Sequence, residues 1–212
     1  MSYTWEPFNS FSPSSLQPSK NALVVLNQPI NGFNKLIHFW NNSIVRICVD
    51  GGLDRLLDWI SQHEKTAQQS LVPDYICGDL DSVNEATKKL FEERGAKSIR
   101  LYNQDATDFQ KTLKFVVELC LVELPVLKGE QLVENKLANI ENIFCFCEFG
   151  GRLDHSLANL SSLYEASLSS EKRCFNTFII GSESITFLLH VGINIVYVDN
   201  LSLIHISQGI VR

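Results

Sequence analysis

The stretch Tyr75-Ile76-Cys77-Gly78-Asp79-Leu80-Asp81-Ser82 places two carboxylates directly after a short apolar run, and a helical pattern follows them. An apolar run of this length before a turn is typical of a buried strand, so both aspartates are predicted at a strand end. Two ionised carboxylates about 5 Å apart repel each other by roughly 3 kcal/mol at an effective dielectric near 20. A hard cation offsets this repulsion, and Mg²⁺ usually binds through one or two carboxylates plus substrate phosphates. The stretch therefore predicts a magnesium site beside a phosphate-bearing ligand.

Apolar runs and helical patterns alternate along the chain. The apolar runs are continuous, as in strands of a parallel sheet that is buried on both faces. They are Ala22–Leu26, Ile44–Val49, Tyr75–Cys77, Ser98–Leu101 and Ile143–Phe149. The clearest helical patterns are Leu53–Gln69, Phe109–Leu124 and Asp154–Ala166. This alternation predicts an α/β fold with a doubly wound, mostly parallel sheet.

Two helix starts carry the capping-box pattern, in which two side chains three residues apart bond each other's backbone N–H groups. Ser82 with Glu85 is one such pair, and Thr107 with Gln110 is the other. Gly95 predicts the end of the helix that follows Ser82, because glycine readily adopts the left-handed conformation found after helices.

The overall composition argues against several classes of protein. The chain has 24 acidic and 18 basic residues, a net charge of −6, which argues against a nucleic-acid partner. No apolar stretch approaches the roughly 20 residues that span a bilayer, and no secretory signal pattern opens the chain. The six cysteines include no Cys-x-x-Cys pair and are expected to be buried in a reducing compartment. A cytoplasmic location is the resulting expectation.

Four turns follow successive predicted strands, and in a parallel sheet all of them lie at one edge, where open α/β sheets bind ligands. They are Asp50-Gly51-Gly52, Gly78–Ser82, Asn103–Phe109 and Gly150–His155. Their acidic residues are Asp50, Asp79, Asp81, Asp105, Asp108 and Asp154. The nearby cations Arg55, Lys111 and Arg152 could meet phosphate oxygens. Since the sequence has neither a Walker A loop nor a G-x-G-x-x-G fingerprint, the phosphates are expected on metal and carboxylates.

Each of these residues also has a simpler interpretation. A single aspartate before a helix is most often an N-cap, which applies to Asp105 and Asp154. Arg55 and Lys111 lie within helical patterns, where an exposed surface charge is common. His155 fits a hydrogen-bonding role at a helix start. The repetition of acidic turns at equivalent points of one sheet favours a shared site.

Taken together, the four turns resemble the ordered motif set of the thiamine pyrophosphokinases. The matching motifs are Asp50-Gly51-Gly52 with Arg55, Pro73–Ser82, Gln104–Phe109 with Lys111, and Gly150–His155. The resemblance covers roughly residues 22–198. It implies transfer of the terminal diphosphate of ATP to the hydroxyethyl arm of thiamine, which gives AMP and thiamine diphosphate.

The resemblance also implies roles for individual residues. The metal ligands would be Asp50, Asp79, Asp81 and Asp108. The catalytic residues would be Asp79, Asp81 and Asp108. Because the attacking hydroxyl must lose a proton, we expect Asp81 or Asp108 to accept it. The nucleotide side would comprise Asp50, Gly51, Gly52, Arg55, Gln104, Thr107, Lys111 and Arg152. Thiamine would meet Asp154 and Asp79, and the family works as a homodimer with thiamine bound between subunits.

The family pattern also sets an expected domain organisation. Residues 1–20, rich in Ser, Pro and Asn, predict a flexible leader, and residues 21–172 the catalytic, nucleotide- and metal-binding α/β domain. Residues 173–212 predict the start of a β-rich, thiamine-binding domain, because short strand-like segments follow each other across short turns. These segments are Phe175–Ile180, Ser184–Leu189 and Asn194–Val198.

The chain departs from the family pattern at two places. Leu53-Asp54 stands where the family usually has Ala-Asn, and Leu201–Arg212 does not match the family's later strands. We therefore expect a shortened or divergent member with an incomplete acceptor-binding part. Two alternatives stay open at this point: a metal-dependent nucleotide-sugar glycosyltransferase that uses the Asp-x-Asp loop, and a shortened chain that binds nucleotide without activity.

Overall fold

The computed structural model describes residues 2–5, 20–31, 33–63, 71–102, 106–121, 136–147, 153–168, 175–189 and 191–196. The chain divides into two compact units. One unit comprises Gln17–Leu188, and the other comprises Met1–Leu16 with Leu189–Arg212. All the predicted site residues belong to the larger unit.

Strands and helices alternate through the larger unit. They are β2 (Asn21–Val25), α1 (Phe33–Asn41), β3 (Val45–Val49), α2 (Gly52–Ser61), β4 (Tyr75–Gly78), α3 (Glu85–Glu93), β5 (Lys97–Arg100), α4 (Asp108–Leu121), a 3₁₀ helix (Lys136–Asn139), β6 (Asn142–Phe146), α5 (Leu153–Leu168), β7 (Asn176–Ile180) and β8 (Ile185–Thr186). The five strands predicted before residue 150 are confirmed. Helix α1 was not among the predicted helices.

These strands form one seven-stranded sheet in the order β5-β4-β3-β2-β6-β7-β8. Every neighbouring pair is parallel except β7 with β8. The chain moves outward through β3, β4 and β5, then crosses back to place β6 on the other side of β2. The mostly parallel α/β fold class is confirmed, and the carboxyl ends of β3, β4 and β5 lie side by side.

The inner strands of the sheet are mostly buried, which explains why they are rich in apolar residues, whereas the edge strand β5 (Lys97-Ser98-Ile99-Arg100) is polar and partly exposed. Ala22, Leu23 and Val24 are consecutive in β2 and fully buried. Alternate strand residues, such as Val24, share a core cluster with Leu113 and Val116 of α4. Complete burial of one such side chain contributes about 1.5–3 kcal/mol, so this core fixes the sheet that carries the acidic turns.

Strand β7 differs from its predicted place. Its segment was predicted to begin the β-rich part, where strands joined by short turns would pair antiparallel, but β7 pairs in parallel with β6, and the antiparallel step comes one strand later, at β8. The apolar run Phe178-Ile179-Ile180 is buried. It therefore behaves like the other continuous strands of the parallel sheet, although short turns follow it.

The smaller unit contains a two-stranded parallel pair. Strand β1 (Ser2–Trp5) pairs with β9 (Ile193–Val196), and Ser2 lies opposite Ile193. Residues 2–5 are thus a strand rather than part of a flexible leader; residues 6–19 lie outside the described part. Among the described residues, no helix is long and apolar enough to cross a membrane.

Candidate metal centre

Three of the predicted aspartates lie together at the carboxyl edge of the sheet. Asp50 follows β3, Asp79 follows β4, and Asp108 opens helix α4, which follows β5. Each offers a carboxylate oxygen, and these oxygens all lie within 4.8 Å of one another. The parallel pairing of β3 with β4 and β4 with β5 brings the three turns to one point.

Asp50 is the buried member of this cluster, with 4% of its surface exposed. Its Oδ1 accepts hydrogen bonds from the backbone N–H groups of Ser82 and Val83, each at 3.2 Å. Burial raises the pKa of Asp50; the hydrogen bonds from Ser82 oppose this rise, and the charges of Asp108 and Asp79 add to it. A cation in the cluster would favour the ionised form that burial disfavours.

The backbone is strained around these carboxylates. Asp50 (φ 48°) and Leu80 (φ 62°) are the non-glycine residues with positive φ in the described part of the chain. This left-handed conformation costs about 1–2 kcal/mol for a residue with a side chain, and such strain clusters at functional sites. Gly78 has φ 138°, a conformation that residues with a side chain rarely adopt. A Cβ at this position would also lie 3.1 Å from the Cβ of Asp50.

The Asp-Gly-Gly turn lets helix α2 start directly against strand β2. A Cβ on Gly52 would lie 2.5 Å from the carbonyl oxygen of Val25, and one on Gly51 would lie 2.4 Å from Nδ2 of Asn27. Arg55, which is exposed, donates from Nε to Oδ1 of Asn27 at 3.1 Å. Asn27 follows β2 at the same sheet edge and was not predicted, although the strand-end argument applies to it equally.

Lys111 supplies a positive charge inside the cluster. Its Nζ lies 2.8 Å from Oδ1 of Asp108 and 3.7 Å from Oδ2 of Asp79, and 7% of its side chain is exposed. Burial alone would lower the pKa of Lys111, but the hydrogen bond and charge of Asp108, with the charge of Asp79, outweigh it and raise the pKa. Lys111 is therefore held as a cation between two of the three carboxylates.

Asp81 lies next to the cluster rather than in it. The group of three carboxylates found among the described residues does not include Asp81. Its exposed carboxylate accepts from Oγ of Ser82 at 2.9 Å, and its backbone N–H donates to Oδ1 of Asp79 at 3.4 Å. The hydrogen bond that Ser82 donates, followed by the side-chain interaction with Asp79, lowers the pKa of Asp81. Its role as a metal ligand stays a prediction.

The two predicted capping boxes have different outcomes. Thr107 and Gln110 form theirs: Thr107 N donates to Oε1 of Gln110 at 2.8 Å, and Gln110 N donates to Oγ1 of Thr107 at 3.1 Å. The Ser82 prediction is wrong, because Asn84 caps α3 by accepting from the backbone N–H groups of residues 86 and 87. Ser82 is instead engaged with Asp50 and Asp81.

Comparison with known proteins places the chain in a family. The family model described as "Thiamin pyrophosphokinase, catalytic domain" matches residues 36–175, more than half of the 212 residues. The chain belongs to this family. The Asp-x-Asp loop is therefore accounted for within the thiamine pyrophosphokinase family, and the glycosyltransferase alternative loses the feature that suggested it.

Individual thiamine pyrophosphokinases agree with this assignment. Thiamine pyrophosphokinase 2 of Oryza sativa subsp. japonica is 31% identical over 159 residues, which cover 72% of this chain and 54% of that protein. Thiamine pyrophosphokinase 3 of the same organism is 32% identical over 149 residues, covering 68% and 50%. The chain thus spans about half the length of these curated relatives. The solved structure of thiamin pyrophosphokinase from Candida albicans matches this chain with a TM-score of 0.71 at 25% identity. The match covers 92% of this chain and 67% of the Candida albicans chain.

Other predicted site residues are not members of the group of three carboxylates or lie outside the described residues. Asp154 lies in the first turn of α5 and is exposed. Gln104, Asp105 and Arg152 lie outside the described residues. A cavity of about 360 Å³ lies at the opposite, amino-terminal edge of the sheet, lined by residues such as Tyr75, and none of the clustered aspartates lines it. Cavity size alone would therefore point away from the carboxylates.

One further residue gains a structural role that the sequence did not reveal. Asp54, noticed only as a departure from the family pattern, accepts at Oδ2 a hydrogen bond from the backbone N–H of Asn84 at 2.8 Å. No motif signals this contact, because it joins helix α2 to the start of α3, 30 residues later.

Proposed function

We propose that the cluster of Asp50, Asp79 and Asp108 binds a magnesium–ATP complex and that the chain is an ATP-dependent diphosphotransferase. It transfers the terminal diphosphate of ATP to the hydroxyl of thiamine, which gives thiamine diphosphate and AMP. The observation that carries this proposal is the convergence of three carboxylates within 4.8 Å, in a chain of the thiamine pyrophosphokinase family.

The donor set suits a hard divalent cation. Three ionised carboxylates against one ammonium group, that of Lys111, leave an excess of two negative charges (three minus one). Carboxylate oxygens are the ligands that Mg²⁺ takes together with phosphate oxygens. Because Oδ1 of Asp50 already accepts hydrogen bonds from two backbone N–H groups, we assign Oδ2 of Asp50 as the atom that would bind the metal. Bound magnesium would neutralise the triphosphate and link it to carboxylates that otherwise repel it.

The residues around the cluster have distinct proposed roles. Lys111 is close enough to two ligands to meet a phosphate oxygen beside the metal, where a fixed positive charge stabilises developing negative charge. Arg55, with Gly51 and Gly52, would border the nucleotide. Oγ1 of Thr107 accepts a hydrogen bond from Gln110 N and lies 3.1 Å from Oγ of Ser162. The proposed role of Thr107 is therefore to position the start of α4 beside the nucleotide.

The attacking hydroxyl of thiamine must lose a proton, and a carboxylate within hydrogen-bond reach can accept it. We propose Asp81 or Asp108 for this step. The acidic surroundings also attract the cationic thiazolium ring, for which Asp154 is the proposed partner. Asp81→Asn should abolish turnover with the fold intact; retention of most activity would remove Asp81 from the assignment.

Thiamine binding is assigned to the β-rich part that follows the central sheet, in a homodimer, as the family resemblance implies. The proposed cytoplasmic location rests on the composition of the chain. We keep the proposed division into a nucleotide- and metal-binding part and a thiamine-binding part. Strand β7 belongs with the former, because it is a parallel strand of the sheet. Size-exclusion chromatography tests the dimer: elution of a 24.0 kDa monomer at assay concentration would contradict it.

The decisive assay is AMP release from ATP and Mg²⁺ with and without thiamine. The proposal predicts thiamine-dependent AMP. ATP binding without thiamine-dependent AMP would contradict it and would support a chain that only binds nucleotide. A rise in melting temperature with ATP and Mg²⁺, and none with UDP-sugar and Mn²⁺, would separate the proposal from a glycosyltransferase.

A further inference from the structure

Two carboxylates at the start of helix α2 hold the chain segment that follows the Asp79-Leu80-Asp81 loop. Asp50 accepts from the backbone N–H groups of Ser82 and Val83, each at 3.2 Å. Asp54, four positions after Asp50, accepts from the next backbone N–H, that of Asn84, at 2.8 Å. Three successive backbone donors are thus satisfied by two aspartates, and the Asp54 bond is the shortest of the three.

The loop held in this way does not have a locally favoured conformation. Leu80 has φ 62°, a left-handed value that costs a residue with a side chain about 1–2 kcal/mol. Such a conformation persists only where surrounding contacts fix it. The contact from Asp54 is made at Asn84, whose own Oδ1 accepts from the N–H of Ala86 at 2.9 Å and caps helix α3. Asp54, on helix α2, therefore holds the end of the loop at the point where helix α3 begins.

We infer that Asp54 is a positioning residue of the metal centre. Through the N–H of Asn84 it holds the Asp79-Leu80-Asp81 loop in the conformation that brings the Asp79 carboxylate within 4.8 Å of those of Asp50 and Asp108. The inference rests on the proposed function in taking a metal–nucleotide complex as the ligand. Asp54 acts on that ligand through the loop, as outer-shell residues act on a metal through the ligands they orient.

Three substitutions separate the hydrogen bond from the charge. Asp54→Leu removes both the acceptor and the charge, and Asp54→Asn removes the charge but keeps an oxygen acceptor. Asp58→Asn removes the same charge from an exposed position one turn further along α2 and serves as the matched control. The difference between the two Asp54 variants therefore isolates the bond to Asn84.

The measurement is the dissociation constant of Mn²⁺ in the presence of a non-hydrolysable ATP analogue, followed by electron paramagnetic resonance. Asp54→Leu should weaken Mn²⁺ binding by about 10-fold or more, the range found for residues that orient metal ligands. Asp54→Asn and Asp58→Asn should each stay within about 3-fold of the unsubstituted chain, because a neutral acceptor or a distant charge alters ligand orientation little. Weakening by Asp54→Leu that is less than 3-fold, or an equal loss in Asp54→Asn, would overturn the inference.

Hydrogen exchange gives a second readout that needs no variant and no metal. The backbone amide of Asn84 should exchange well below the rate of a free peptide, because its N–H donates a hydrogen bond to Oδ2 of Asp54. Exchange at the free-peptide rate would overturn the inference even if Asp54→Leu failed to fold. Neither readout involves thiamine. Absence of thiamine-dependent AMP from the unsubstituted chain would therefore count against the proposed function and leave the test of Asp54 decisive.

Discussion

The two halves of the central sheet, on either side of strand β2, carry different kinds of residue. On one side, β3, β4 and β5 lead into turns that carry three carboxylates and both left-handed non-glycine residues of the described chain. On the other side, β6 and β7 carry an aromatic stack, with Phe144 against Phe39 at 4.6 Å and against Phe178 at 5.4 Å between ring centroids. One sheet thus keeps its aromatic packing apart from its strained, like-charged turns.

The largest expected effect is on the aromatic side. Phe144→Ala should lower the free energy of unfolding by about 3–5 kcal/mol, because it leaves a cavity among buried rings. Chemical denaturation measures the change. The control is Tyr102→Ala, an aromatic residue 81% exposed, which should cost less than about 1 kcal/mol. Equal losses in the two variants would show that the Phe144 ring contributes no more to stability than an exposed ring.

The next effect is on the acidic side and concerns turnover. Asp79→Asn should reduce thiamine-dependent AMP formation by about 100-fold to 1,000-fold, the range for losing one preorganised electrostatic contact. Its unfolding free energy should stay equal or rise, because repulsion with Asp50 and Asp108 falls. Glu93→Gln, an exposed acid on α3, is the matched control for lost charge. An Asp79→Asn chain that unfolds easily, or that keeps its turnover, would contradict the separation.

The sequence predicted this division well where the signal was local. Continuous apolar runs predicted the strands, and the acidic turn after each of three strands predicted Asp50, Asp79 and Asp108 at one edge. It could not distinguish Asp79 from Asp81, because both follow the same strand. That distinction depends on the left-handed Leu80 and on the hydrogen bond from Ser82, neither of which has a sequence pattern.

Other misses have the same origin in contacts between distant residues. Ser82 and Asn84 are both good caps before Glu85, and the choice falls to Asn84 because Asp50 and Asp81 engage Ser82. The direction of β7 depends on its pairing with β6, which no local pattern encodes. Helix α1 has a sequence, Phe33–Asn41, rich in aromatic residues and asparagine, which have modest helix propensity, so packing rather than propensity stabilises it.

A third prediction tests the junction between the two sides, where α2 meets β2. Gly52→Ala should destabilise the chain by about 1–3 kcal/mol, the usual range for overpacking, because its Cβ would lie 2.5 Å from the carbonyl oxygen of Val25. Gly95→Ala is the comparison variant: an added Cβ would meet nothing within 4 Å, so any loss of stability there comes from its φ of 109° and not from overpacking. Thermal melting compares them. A Gly52→Ala chain as stable as the unsubstituted one would show that the Asp-Gly-Gly turn does not require close approach.

The smallest expected effect lies in helix α4. Thr112 is fully buried, and its Oγ1 has no hydrogen-bond partner among the described residues. Thr112→Val removes this hydroxyl at constant shape and should stabilise the chain by about 1 kcal/mol or slightly more, the cost of an unpaired buried polar group. A destabilised Thr112→Val chain in chemical denaturation would show that the hydroxyl has a partner in the native state.

Asp50, Asp79 and Asp108 are proposed to act together on one metal–nucleotide complex. This joint action is tested by measuring the affinity of the unsubstituted chain and of its three Asp→Asn variants for Mn²⁺ in the presence of a non-hydrolysable ATP analogue. We predict that the unsubstituted chain binds Mn²⁺ and that each single variant weakens this binding by about 10-fold or more. Absence of binding by the unsubstituted chain, or binding unchanged in all three variants, would contradict a joint role of the three carboxylates in metal binding.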